Sequence, residues 1–327
     1  MSRESATPAA APPEKEGLAD LKVDQKSGTI RFVRLRVLLR MPLQLACVLF
    51  FVVMVAIALF VAPLVQDTAD HQDLSLRFLD PFTTDHGWAY FLGADALGRP
   101  ELAQILYGTR TSFLVAASVV LISAVVGSSL GMFSGYLGGW VDAAVMRVAD
   151  VVVAMPTLLI ATVVLFVLPA TLPNLVLILA LSRIPVYMRT ARGQTLSLRE
   201  RVFIEASKSL GAGKGRIVAK DITPLVVPTI LTVAMLDVAG VILATTGLSF
   251  LGAGLQRPNV DWGILVADGR TYVSTAWWVS AFPGLIIALT CLAANFISNW
   301  LRAMDDPVQS GRLTAKLWPR SVREAAK

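Results

Sequence analysis

The sequence predicts an all-α, polytopic membrane protein with six transmembrane helices and both termini in the cytoplasm. Of the 327 residues, 55% are hydrophobic and only 16% are charged, and the mean hydropathy is +0.65. Such a composition exceeds what the core of one soluble domain of this length can bury. Six apolar windows reach or approach the roughly 20 residues that a helix needs to cross a bilayer. They cover residues 43–65, 112–133, 151–168, 172–188, 225–251 and 278–300.

The third and fourth windows are short and almost continuous. Pro169 and Pro173 lie at their junction, and proline interrupts a helix because it lacks an N–H group and its ring clashes with the preceding turn. We therefore predict a helical hairpin between these two spans, with almost no loop outside the membrane.

The distribution of basic residues predicts the orientation in the membrane. Lys and Arg near helix ends are retained on the cytoplasmic side. They are concentrated in the segments 22–40, 189–220 and 302–327, whereas the loop 66–101 is rich in Asp. We expect the three basic segments inside the cell and the acidic loop outside, so that an even number of crossings returns both termini to the cytoplasm. Residues 1–20 are rich in Pro and Ala, lack an apolar face and are predicted to be disordered.

Charge, cysteine and histidine usage argue against other functional classes. The net charge of +6 is dispersed along membrane edges, which disfavours nucleic-acid binding. Cys47 and Cys291 lie singly inside predicted spans, and His71 and His86 lie in the acidic loop without cysteine neighbours. We predict no catalytic residue and no resident metal; a metal site at the two histidines is the alternative to a solvated loop.

A charged insert, EASKSLGAGKGRIVAKDITP at 205–224, separates the fourth window from the fifth. Such a charged segment cannot lie in hydrocarbon, so it must face water. Residues 205–210 can form a short helix, Gly211 and Gly213 permit a tight turn, and residues 216–221 can restart a helix. The insert is therefore predicted to be a helix–turn–helix that projects from the membrane.

The insert contains a lysine in a glycine-rich setting, which raises the question of nucleotide binding. The phosphate-loop pattern G-x-x-x-x-G-K-[ST] is not met around Lys214, because Lys208 occupies the first glycine position and Gly215 follows the lysine. If the protein is a transporter, its energy comes either from ATP hydrolysis by a partner protein or from an ion gradient.

The spacing from Glu205 through Gly211 to Pro224 closely resembles the EAA loop of binding-protein-dependent ABC importer permeases, with Ser207 and Thr223 in place of the usual Ala and Leu. The resemblance extends over residues 40–307 and is to the C-type permeases of dipeptide, oligopeptide and nickel importers. Ala94 and Pro100 depart from the pattern. Matching residues include Gly93, Asp95, Gly98, Arg99, Tyr107, Gly108, Arg110, Gly135, Tyr136, Asp142, Asp150, Tyr187, Arg189, Arg192, Trp262, Gly263, Pro283, Gly284, Asn295, Asp306 and Pro307.

The resemblance implies a type I ABC importer permease fold in the bacterial cytoplasmic (inner) membrane. The permease domain would cover residues 41–307 between cytoplasmic tails at 1–40 and 308–327. The implied partners are a homologous second permease subunit, two ABC ATPase subunits that bind ATP and Mg, an extracytoplasmic solute-binding protein and membrane lipid; the chain itself would carry no cofactor. The implied ATPase-coupling residues are Glu205, Ala206, Ser207, Leu210, Gly211, Ala212, Arg216, Ile217 and Pro224.

The implied activity is import of di- or oligopeptides by alternating access. Nickel or another small solute is the alternative substrate. A gradient-driven secondary transporter, a membrane-embedded enzyme and a channel are alternatives from other classes. A secondary transporter would show inverted repeats. An enzyme would show acids, His or Cys clustered at one depth in the membrane. A channel would show a polar stripe along its spans.

Arg183 and Asp237 are predicted to lie about 14–17 Å deep, near the bilayer midplane. A lone charge there costs at least about 2.5–3.5 kcal/mol on insertion scales, so each needs a partner or a watery cavity. Two interpretations stay open: the residues line the substrate pathway, with Arg183 available to a substrate carboxylate, or they are structural, as an ion pair or an arginine that snorkels near Pro185. Thr245 is a third pathway candidate, since relatives often carry a glutamate at that position.

Overall fold

The computed structural model describes residues 42–305, so the predicted tails and the matches at 306 and 307 lie outside the described residues. No β-strand occurs between residues 42 and 305. We number the helices α1 (Pro42–Leu64), α2 (Gln66–Asp70), α3 (Glu101–Leu137), α4 (Gly139–Ala154), α5 (Thr157–Val167), α6 (Leu172–Leu198), α7 (Val202–Ser209), α8 (Lys214–Phe250), α9 (Trp262–Gly269) and α10 (Trp278–Asp305).

Five of these helices, α1, α3, α6, α8 and α10, are long and apolar enough to cross a membrane. They cover the first, second, fourth, fifth and sixth predicted windows to within one residue, so these five predictions are confirmed. The protein is therefore an all-α, polytopic membrane protein.

The third window, 151–168, is not one straight helix. It is divided between α4 and α5, which are bent by 81° at a short break. Pro156 explains the break, because a proline forces the residue before it out of the helical region, and Met155 has an extended backbone (φ −97°, ψ 130°). With only 11 residues, α5 is about 16 Å long and cannot span a bilayer alone. The described residues thus hold five spans, or six if the bent pair crosses as one unit.

The predicted hairpin after this window is short, as expected. Helix α5 ends at Val167 and α6 begins at Leu172, which leaves four residues for the connection.

A glycine seam on α3 allows the closest helix packing, against α6. A Cβ atom on Gly127 would lie 2.6 Å from the Ile184 carbonyl oxygen, and one on Gly131 would clash with the Met188 carbonyl. Small residues at such spacing let two backbones approach closely within a membrane. The seam therefore fixes α6 relative to α3.

Residues 66–100 and 252–277 form what we call the loop layer, which covers one end of the helix bundle. Trp262 is fully buried there; its indole Nε1–H donates to the Ile105 carbonyl at 3.1 Å, and its backbone N–H donates to Ser112 Oγ at 3.2 Å. These bonds fasten the connection between α8 and α9 to the start of α3.

The loop layer also contains the buried ion pair of Asp95 and Arg99. Their i, i+4 spacing predicts an ordinary helical pair worth a few tenths of a kcal/mol, and this interpretation is wrong. The residues lie in a turn that also contains Gly93 and Gly98, whose φ angles are +86° and +72°. The Asp95 carboxylate accepts hydrogen bonds from the Leu97 and Arg99 N–H groups, the Arg99 guanidinium and the Gln104 amide.

Candidate functional sites

The predicted helix–turn–helix is present at the opposite end of the bundle, and we call residues 202–224 the α7–α8 elbow. Gly211 turns the chain with a φ of +79°, a conformation that glycine adopts without the steric cost of a Cβ atom. The turn is closed by the Gly211 N–H bond to the Lys208 carbonyl (2.9 Å) and the Ala212 N–H bond to the Ser207 carbonyl (3.1 Å). Gly211 therefore fixes the bend between the two helices.

The elbow packs against the membrane helices α3 and α6. Ile204 of α7 and Ile217 of α8 are buried in one apolar cluster with Met132 of α3 and Tyr187 of α6. In addition, Lys208 Nζ lies 5.7 Å from the centre of the Tyr136 ring, a cation–π contact. The elbow is thus a rigid extension of the bundle.

The second helix of the elbow is the first part of α8, which continues without a break into the membrane-spanning segment. Helix α8 does not end before Pro224 but passes through it, with a π-helical segment at Ile217–Ile222. The Thr223 hydroxyl donates to the Val218 carbonyl at 2.8 Å, and the Thr223 N–H donates to the same oxygen. These bonds supplement the backbone bonding where Pro224 has no N–H to donate. The second helix of the elbow and the membrane-spanning part of α8 are therefore one continuous helix.

The elbow presents an apolar tip to its surroundings. Leu210 is 88% exposed and Val202 is 80% exposed. Of the nine predicted coupling residues, eight are at least partly exposed; Ile217 is buried and supports the elbow from inside. The exposed residues are Glu205, Ala206, Leu210, Gly211, Arg216 and Pro224, and the half-buried ones are Ser207 and Ala212.

The two intramembrane charges are close together. Arg183 Nε lies 3.4 Å from Asp237 Oδ1, an ion-pair distance, but this N–H makes no hydrogen bond with the described residues. Asp237 Oδ2 instead accepts a hydrogen bond from the Tyr187 hydroxyl at 3.1 Å. Gly240 leaves room for the guanidinium, because a Cβ atom there would lie 3.1 Å from Arg183 Nη2.

The third pathway candidate lies apart from this pair. Thr245 is buried, and its hydroxyl donates to the Val241 and Ile242 carbonyls of its own helix. It is eight residues from Asp237, about 12 Å along α8. Tyr187, not Thr245, is the third polar group beside Arg183 and Asp237. The sequence indicates this only through spacing, because Tyr187 follows Arg183 by four residues on α6 and so lies on the same helix face.

Four further residues of the family pattern meet between α4 and α6. The Arg192 guanidinium donates to both carboxylate oxygens of Asp142, at 2.5 and 2.6 Å, and Arg189 donates to Asp150 at 2.7 Å. A bidentate arginine–carboxylate pair fixes orientation as well as distance. These pairs hold α4 against the end of α6 that leads to the elbow.

A family model described as "Binding-protein-dependent transport system inner membrane component" matches residues 127–307. This range contains the elbow, the Arg183–Asp237 pair and both α4–α6 ion pairs. The chain belongs to this family. It is accordingly a multi-pass permease of the bacterial inner membrane, of the ABC importer type.

Curated relatives extend the similarity beyond that range. A probable D,D-dipeptide transport system permease protein of Escherichia coli K12 is 35% identical over 271 residues, which are 83% of this permease and 89% of the relative. A di/tripeptide transport system permease protein of Pseudomonas aeruginosa is 34% identical, over 79% and 86% of the two chains. An oligopeptide transport system permease protein of Mycobacterium bovis is 37% identical, over 75% and 83%.

Proposed function

We propose that this chain is the permease subunit of an ATP-driven importer of di- or oligopeptides and forms half of the translocation pathway. Support for the substrate class comes from the relatives, whose names concern dipeptides, tripeptides and oligopeptides. These names favour peptides over nickel or another small solute.

The proposed complex contains a homologous second permease subunit, two ABC ATPase subunits and an extracytoplasmic solute-binding protein. ATP and Mg bind to the ATPases, because the sequence around Lys214 does not meet the phosphate-loop pattern. The α7–α8 elbow faces the cytoplasm and the loop layer faces outward, with six crossings and both termini inside, in keeping with the basic segment at 189–220 and the acidic loop at 66–101.

The main support for the proposed coupling role is that Leu210 is exposed at the tip of the elbow, whereas Ile204 and Ile217 at its base are buried. An apolar side chain such as Leu210 is stabilised when a partner removes it from water, by roughly 1.5–3 kcal/mol on full burial. The buried Ile204 and Ile217 keep the tip from folding back onto the bundle. Because α8 is continuous from Lys214 to Phe250, a push by the ATPases on the elbow moves the helix that carries Asp237.

The coupling role is tested by Leu210→Asp, with Leu74→Asp as the matched control. Leu74 is 70% exposed in the loop layer, so both substitutions place a charge on an exposed leucine, at opposite ends of the bundle. We expect Leu210→Asp to abolish ATPase co-purification and uptake and Leu74→Asp to retain the ATPases. Gly211→Val and Glu205→Lys should also uncouple uptake while leaving membrane insertion intact. Normal co-purification with normal uptake in Leu210→Asp would overturn the assignment.

The substrate pathway is proposed to pass Arg183. Its Nε is buried, but its side chain as a whole is 28% exposed, so the rest of the guanidinium is the part that can meet the carboxylate of a peptide. We expect Arg183→Gln to reduce uptake of a dipeptide with a free C-terminus about tenfold or more, the scale of a charged hydrogen bond, and to affect the C-amidated dipeptide far less.

Asp237→Asn distinguishes the pathway from a purely structural pair. If Arg183→Gln and Asp237→Asn both assemble normally and transport the two dipeptides as the wild type does, the pathway hypothesis is wrong. Loss of assembly in both variants would instead show that the pair is structural.

A further inference from the structure

A groove between α1 and α3 opens on the membrane-facing surface near the loop layer. On the α1 side its wall includes the π-helical segment Ile57–Val61, and the small side chains of Ala58 and Ala117 leave the space between the helices open. The groove has a volume of about 420 Å³. Its lining is apolar except for Arg110 and Ser118, and it includes Leu59, Phe113, Leu114 and Ala117.

Arg110 lies where a lipid headgroup would be. Helix α3 has 37 residues and is about 55 Å long, about 25 Å more than the hydrocarbon core. Arg110 follows the first nine residues of α3 and comes just before the uncharged window 112–133. It is therefore at the boundary between the hydrocarbon and the loop layer, with the groove extending from it into the hydrocarbon.

Arg110 differs from the other arginines on this side of the molecule. Arg99 pairs with Asp95, Arg257 pairs with Asp268, and Arg270 donates to the Phe250 carbonyl. Arg77 lies over the Phe78 ring. Arg110 is exposed and, within residues 42–305, makes no hydrogen bond or ion pair. Its positive charge is thus available at the head of an apolar groove.

We propose that this groove binds one anionic phospholipid, with the phosphate on the Arg110 guanidinium and an acyl chain along Phe113, Leu114 and Leu59. The charge complements a phosphodiester, and the groove walls offer an acyl chain the same apolar contacts that the bilayer does. A guanidinium binds phosphate through several N–H donors at once. This inference requires only that α1 and α3 span the membrane, whatever solute the permease carries.

The test compares lipid retention by the full-length permease, purified in detergent with its co-purifying subunits. Native mass spectrometry counts bound dioleoylphosphatidylglycerol and, separately, dioleoylphosphatidylcholine. We expect the wild type to retain the anionic lipid in preference, and Arg110→Gln to weaken its binding about tenfold, the scale of a charged hydrogen bond. Ala117→Phe fills the groove and keeps the charge, so it should also weaken binding.

Arg77→Gln is the matched control, because it removes an exposed arginine of the loop layer away from the groove. It should retain the lipid as the wild type does. Equal retention of phosphatidylglycerol by Arg110→Gln and wild type would overturn the proposal. So would loss of the second permease subunit from Arg110→Gln, because the groove would then be a protein interface.

Discussion

The loop layer and the α7–α8 elbow occupy opposite ends of one bundle and differ in what holds them together. The loop layer contains a buried ion pair: Asp95 and Arg99 are 3% and 6% exposed and bond to each other and to nearby backbone, while other charged residues of the layer, such as Asp67 and Asp80, are exposed. In the elbow, apolar groups are turned outward, with Leu210 at the tip.

The two regions are therefore stabilised in different ways. Buried polar groups whose bonds are satisfied define one rigid arrangement, whereas an exposed apolar tip gains stability only from a partner. The loop layer is therefore a preformed cover on the bundle. The elbow is, on our proposal, completed by another subunit.

The largest effect is expected from disrupting the contact between α3 and α6, the helices that lie between the loop layer and the elbow. Gly131→Val places a branched side chain against the Met188 carbonyl of α6, in the seam that fixes α6 relative to α3. We expect loss of folded protein, measured as the monodisperse yield in size-exclusion chromatography. Gly193→Ala is the control, because a Cβ at this α6 glycine meets nothing within 4 Å. A normal yield for Gly131→Val would show that the seam is not required.

The next effect should be confined to the loop layer. Asp95→Ala removes the 2.6 Å partner of the buried Arg99 and leaves it only the more distant Asp268 carboxylate, at 3.9 Å; breaking a buried pair costs roughly 3–5 kcal/mol. We expect a lower thermal unfolding temperature with ATPase co-purification retained. Asp268→Ala is the control, since its carboxylate is 43% exposed and its removal should cost about 1 kcal/mol or less. Equal destabilisation by both substitutions would mean that the buried Asp95–Arg99 pair does not stabilise the loop layer more than an exposed pair does.

A smaller effect depends on pH. Burial raises the pKa of Asp261, in the loop layer, from its ordinary value of 3.8 to about 6, although hydrogen bonds from the Ile264 N–H and the Ser249 hydroxyl oppose the rise. The folded state therefore holds the proton more tightly than the unfolded state. The resulting stabilisation is complete below pH 3.8 and is lost as the pH rises through 6.

Asp261→Asn removes this titration and retains an oxygen that can accept from Ile264. The unfolding temperature of the wild type, relative to that of the variant, should fall between pH 4 and 7, by the equivalent of about 2–3 kcal/mol. Tryptophan fluorescence during heating measures it, because Trp262 is adjacent and buried. A constant difference across this pH range would show that Asp261 does not titrate there.

The smallest effect is expected near the elbow. Arg189 and Asp150 form an ion pair whose side chains are 46% and 55% exposed, so Arg189→Gln should cost less than about 1 kcal/mol. Thermal unfolding of this variant should match the wild type within about 2–4 °C. A much larger loss would mean that a partner buries the pair.

Local patterns of the sequence were sufficient to predict the helices and the elbow. The windows at 43–65 and 278–300 coincide with α1 and α10 because a long apolar run has few alternatives to a membrane helix. Gly211 marked the turn, since the conformation it adopts is a property of single residues. The bend at Pro156 was the exception: the window 151–168 had a helix breaker inside it, and apolar content concealed it.

The polar partners required the tertiary structure. Asp142 and Arg192 are 50 residues apart in the sequence, as are Tyr187 and Asp237, and no local pattern indicates such a pairing. The same is true of Ile217, which belongs by spacing to the exposed coupling loop and by packing to the buried base.

The sequence by itself determined the class of protein, the membrane-spanning segments and the place of the elbow, because hydrophobic length and glycine turns act over short stretches of chain. Only the tertiary structure decided which charges meet, which coupling residues are buried and that, within residues 42–305, Arg110 makes no hydrogen bond or ion pair although the other arginines near the loop layer have partners. Those outcomes depend on how closely α3, α6 and α8 approach one another, and that is set by packing between residues distant in the chain.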